Sequence, residues 1–135
     1  MEDSTVQITQ YQQKITANTN QINSLKKDID ELEILKTKIE KIIRQVNRTA
    51  DETRKKVFNI PNMMSSVIKL DLFSGILECA KGTQYNNAIL ELNKSKQNIQ
   101  NQINECNAKI NSLKTEINNC NNQIQTIQTN AEGIQ

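Results

Sequence analysis

Between Ile99 and Ile134 apolar residues return at alternating steps of four and three: Ile99, Ile103, Cys106, Ile110, Leu113, Ile117, Cys120, Ile124, Ile127, Ala131 and Ile134. The positions between them are almost all Asn, Gln, Lys, Ser, Thr and Glu. Such an alternation paints one narrow apolar stripe along an α-helix, the seam of a coiled coil, and a stripe this regular requires a cover.

The first half supplies one. With Ile8 at heptad position a, the a series runs Ile8, Ile15, Ile22, Ile29, Lys36, Ile43, Ala50, Val57 and the d series Tyr11, Asn18, Leu25, Leu32, Ile39, Val46, Thr53, Ile60. No Gly or Pro interrupts it before Pro61. The spacing predicts a first helix over about 5–60, some 80 Å long at ~1.5 Å per residue. The second register, counted from Gly82, places a at Ile89, Lys96, Ile103, Ile110, Ile117 and Ile124, and predicts a helix over about 83–132.

The two heptad phases do not join. Across the segment NIPNMMSSVIKLDLFSGILECAKG the polar spacing thins, Pro61 ends or restarts a helix, and Gly75 and Gly82 loosen the backbone. The chain is therefore expected to turn here. The fold class is all-α: one domain, residues 1–135, forming a long antiparallel two-helix coiled-coil hairpin with an irregular or short-helical apolar tip over 61–82. In an antiparallel pair a positions face d positions. A fold about Asp71 would set Ile8 against Ile134, Ile22 against Cys120, Leu32 against Ile110, Ile43 against Ile99 and Val57 against Tyr85, with Lys36 beside Cys106 and Lys96 beside Val46. Slippage by a heptad keeps every a opposite a d, and the turn length decides between the registers. A swapped homodimer would satisfy the same seam.

Composition fits a thin object. Of 135 residues 36% are hydrophobic and 3% aromatic, too few for a thick globular core. A net charge of +2 with 24% charged residues favours neither nucleic acid nor anionic lipid. No run is apolar for the roughly 18–20 residues a membrane span needs, and the polar start MEDSTVQITQ is not a signal peptide, so a cytoplasmic protein is expected, with export alongside a partner left open. Cys106 and Cys120 lie two heptads apart, about 21 Å at ~1.5 Å per residue, too far to bond within one chain and read as small buried hydrophobes.

Little here suggests chemistry. The chain has no histidine, no phosphate-binding Gly-rich loop after a strand, and no zinc spacing among Cys79, Cys106 and Cys120. No enzyme activity, cofactor or metal is expected. Asp28, Asp30, Glu31 and Glu33, with Lys26, Lys27 and Lys36 nearby, read as a solvated face. The stretch Lys36, Lys38, Lys41, Arg44, Arg48, Arg54, Lys55, Lys56 is basic, but its charges go round the helix and only Phe58 is close for stacking, so nucleic acid is not the expected partner.

Two features exceed what a bare hairpin needs. Leu35 and Ile42 both fall at g, and with Ile34 they widen the stripe enough to touch a third helix. The tip gathers Phe58, Met63, Met64, Leu70, Phe73 and Leu77 within a few turns, either a cap over its own core or a Met-rich docking surface.

Around Phe73, Ser74 and Gly75 the chain resembles the helical hairpins of bacterial type VII (ESX) secretion, whose turn carries a W-x-G motif. It is more closely similar to the small accessory proteins encoded beside LXG toxins in Gram-positive bacteria. Phe73 stands where the motif has Trp, and no Y-x-x-x-D/E export signal is present, since Tyr85 is followed four residues on by Ile89. The resemblance implies a non-enzymatic adaptor or targeting chaperone that binds the helical N-terminal domain of an LXG toxin, together with a second small helical accessory protein, for type VII secretion. Leu35, Ile42, Met63, Met64, Phe73 and Gly75 are the candidate partner-binding residues, Gly75 giving the tip the freedom a tight reversal needs. The rival expectations are a self-associating coiled-coil scaffold and a prefoldin-like holdase.

Overall fold

The computed structural model describes residues 3–58, Gly75 and residues 82–133. Two helices carry the fold, α1 (Ser4–Phe58) and α2 (Thr83–Gly133), and no strand occurs among the described residues. The helices pack against each other as an antiparallel hairpin. The expected tip, with Pro61, Met63, Met64, Phe73 and Cys79, lies outside the described residues apart from Gly75 and Gly82.

Local chemistry accounts for both starts. The Asp3 carboxylate accepts a hydrogen bond from the Thr5 backbone N–H at 3.2 Å, and its carbonyl accepts from Val6 and Gln7, so Asp3 caps α1. The Gly82 carbonyl accepts the Asn86 N–H at 3.0 Å at the start of α2. Lys55 and Lys56 occupy the last turn of α1, where cations meet the negative end of the helix dipole. Threonines are weak helix formers, and Thr9, Thr16, Thr37, Thr53, Thr115, Thr126 and Thr129 each donate to the carbonyl four residues back.

Burial follows the heptads, in two stretches. In the first, Met1–Leu32 with Asn101–Gln135, the shielded positions of α1 are Ile8, Tyr11, Ile15, Asn18, Ile22, Leu25, Ile29 and Leu32, apart from the half-buried Gln7. Those of α2 are Ile103, Cys106, Ile110, Leu113, Ile117, Cys120, Ile124 and Ile127. Ile103 (3% exposed) and Cys120 (4%) are the deepest. Cys106, expected buried, is only half-buried.

In the second stretch, Glu33–Gln100, the a and d positions Lys36, Ile39, Ile43, Val46, Ala50 and Thr53 of α1 and Tyr85, Ile89, Leu92, Lys96 and Ile99 of α2 are shielded, with Glu40, Asn47, Arg54 and Gln100 half-buried beside them. Every buried or half-buried seam position thus falls on the series read from the sequence. No large side chain among the described residues is below 2% exposure, so the core is a strip between two helices.

The register differs from a fold about Asp71. Lys36, expected beside Cys106, donates to Gln100 at 2.7 Å, and Lys96, expected beside Val46, pairs with Glu40 at 3.5 Å. Tyr85, expected against Val57, donates its hydroxyl to Asn47. The partners are displaced by six, six and ten residues, in the same direction, and a slip of one heptad is the one in this range that keeps a opposite d. A long-chain amine at an a position is tolerated here because its stem lies in the seam while its head reaches a polar acceptor. In the other stretch Asn18 donates to Glu116 at 3.0 Å, the same tighter register. Ala131, expected in the seam, is exposed.

Candidate functional site

With a and d turned inward, the next positions round α1 are those that a partner could reach. Leu35 and Ile42 occupy g one heptad apart, about 10.5 Å along the axis at ~1.5 Å per residue, and are 46% and 44% exposed. Ile34, at f, is 56% exposed. These three lie in one stretch of the hairpin, and Lys38, exposed, stands four residues from Ile34, three from Leu35 and four from Ile42, among all three. On α2 of the same stretch Leu90 is 53% exposed. Val6, in the other stretch, is 47% exposed and isolated in sequence from these.

Around and beyond Ile42 the outer face carries cations. Lys41, Arg44, Gln45 and Arg48, spaced at i, i+3, i+4 and i+7, line a surface cavity of about 430 Å³. The basic run therefore does not simply go round the helix, since three of its members share one face. The spacing that shows this is helical, but it is hidden when charges are counted along the chain. Among the described residues, Lys38, Lys41, Arg44 and Arg48 take part in no ion pair, whereas Lys96 and Lys94 are paired with Glu40 and Glu91. A second cavity, about 390 Å³, is lined in the other stretch by Thr9, Gln12, Gln13, Thr16, Ala17 and Asn20, all neutral.

Of the six residues singled out by sequence, Leu35 and Ile42 lie together on the exposed flank. Met63, Met64 and Phe73 lie outside the described residues. Gly75 corrects an expectation. Its backbone is helical, its φ is not positive, and an added Cβ would meet nothing within 4 Å. A side chain would fit there, so no left-handed reversal at this position requires glycine.

Reading the heptads for apolar residues passed over Asn18. It is the one buried polar residue among the described residues, at 8% exposure, and its amide is satisfied by Glu116 across the seam. The signal was present as the polar member of an otherwise largely apolar d series. Arg54 is the other seam-side exception, its Nε buried with no hydrogen-bond partner among the described residues.

Fold and surface together define an all-α, two-helix coiled-coil hairpin with a closed seam and an apolar flank bordered by cations. No family model matches this chain, and no curated protein or solved structure is significantly similar to it. No helix among the described residues is long and apolar enough to cross a membrane, and none of their His, Cys, Asp and Glu side chains group in threes that could hold a metal ion.

Proposed function

We propose that this chain is a non-enzymatic adaptor that captures a helical protein on the α1 flank. One observation carries the reading: Leu35 and Ile42 remain 46% and 44% exposed although the seam beside them is already filled by the chain's own second helix. Scattered surface leucines need no explanation, but Ile34, Leu35 and Ile42 recur at helical spacing and extend the seam sideways, as a position for a third helix does. Among the described residues, that flank is where exposed apolar residues cluster, since Val6 and Leu90 stand alone.

The resemblance to LXG-associated accessory proteins suggests the setting. In it, the cargo is the helical N-terminal domain of a toxin, whose exposed stripe the flank would cover before type VII secretion. A second small helical protein would share the cargo, and the tip residues Met63, Met64 and Phe73 would extend the contact.

The test is capture by Leu35→Asp with Ile42→Asp. Both positions are outside the seam, so far-ultraviolet circular dichroism should keep its helical signal while co-purification with toxin-domain products of neighbouring genes is lost. Undiminished capture would remove the flank as the interface. A stable homo-oligomer by light scattering that ignores every such product would favour the scaffold reading instead.

A further inference from the structure

We infer that the helix seated on this flank is acidic, its apolar stripe bordered by carboxylates. The inference rests on the adaptor reading and names its partner's chemistry. Its basis is the charge around the apolar residues. Lys38 stands among Ile34, Leu35 and Ile42, and Lys41, Arg44 and Arg48 line the hollow that begins beside Ile42. These four cations are exposed and, among the described residues, carry no ion pair. Of the carboxylates on the same helix, Glu40 is half-buried and paired with Lys96, whereas the exposed Glu31 and Glu52 stand one turn before Leu35 and one turn after Arg48, at the two ends of the cationic stretch.

An apolar helix face with a cationic border selects by charge. Carboxylates on an incoming helix would sit over Lys38 and Lys41 while its leucines cover Leu35 and Ile42, and a further acidic residue would reach the Arg48 guanidinium, which donates to a carboxylate in a bidentate fork. A basic helix with the same stripe would meet like charges, and that repulsion rejects wrong partners. A nucleic acid could use the cations but has no use for an exposed Leu and two Ile beside them, and Trp, Tyr or Phe for base stacking is absent from residues 33–56.

The experiment uses the full chain and two synthetic peptides of equal length, each with one leucine stripe, flanked by Glu in one and by Lys in the other. Binding is read by fluorescence anisotropy. The Glu peptide should bind at least about tenfold more tightly than the Lys peptide, less tightly as salt rises. Lys38→Glu with Lys41→Glu and Arg48→Glu should invert that preference, and the milder Lys38→Gln with Lys41→Gln and Arg48→Gln should abolish it. Leu35→Asp with Ile42→Asp should abolish binding of both peptides. Equal binding of the two peptides, still dependent on Leu35 and Ile42, would overturn the acidic partner and leave the adaptor standing. Binding that survives Leu35→Asp with Ile42→Asp would overturn both. Failure of the Glu peptide to bind, or tight binding of a single-stranded oligonucleotide that ignores the Leu35 and Ile42 changes, would overturn the inference.

Discussion

A single polar side chain shows how the seam is tuned. Asn18 is buried at a d position and its amide reaches Glu116, so it holds one arrangement at the expense of apolar burial. Asn18→Leu should raise the melting temperature, since burying a leucine is worth ~1.5–3 kcal/mol against ~0.5–1.5 kcal/mol for the lost hydrogen bond. Ile103→Ala should lower it, by about 2–5 kcal/mol in stability, because Ile103 is only 3% exposed. Thermal melts followed by circular dichroism check both signs. The exposure of Leu35, Ile42 and Ile34 was legible in the sequence because g and f positions cannot reach a two-helix seam. The cationic hollow was not read there, because charges counted along a chain mask a face that recurs only every third or fourth residue.

At the level of the helices, the pattern located each seam but left it free to slide. Both registers keep a against d, so aliphatic burial barely distinguishes them. The polar contacts do, because Lys36 with Gln100, Lys96 with Glu40 and Tyr85 with Asn47 form only in the tighter one. In a chain with its cysteines replaced, Glu40→Cys with Lys96→Cys should be joined by a short bifunctional thiol reagent. Glu40→Cys with Gln102→Cys, the pair a fold about Asp71 would bring together, should not. Mass spectrometry of the linked peptides decides. The helix starts were legible to within a residue, α1 beginning at Ser4 and α2 at Thr83, whereas the Asp3 cap was not read from the sequence.

For the molecule as a whole, charge contributes little to the fold. Net charge is +2, and the cross-helix ion pair among the described residues, Lys96 with Glu40, keeps about a third of each side chain exposed. Exposed pairs are worth ~0–1 kcal/mol and are screened by salt. Raising sodium chloride to about 1 M, where screening acts within ~3 Å, should therefore move the melting temperature by only a few degrees. The same salt should weaken a charge-selected partner strongly. That contrast, measured on one preparation, separates the interactions that close the hairpin from those proposed for its flank.

The heptads alone determined that the chain is helical, that its two halves cover each other, and which residues face inward. Those properties follow from period, and period is local. Register came only with the folded pair. A repeating stripe offers the same burial at every seven-residue step, so the choice among steps falls to polar groups brought together from distant parts of the chain.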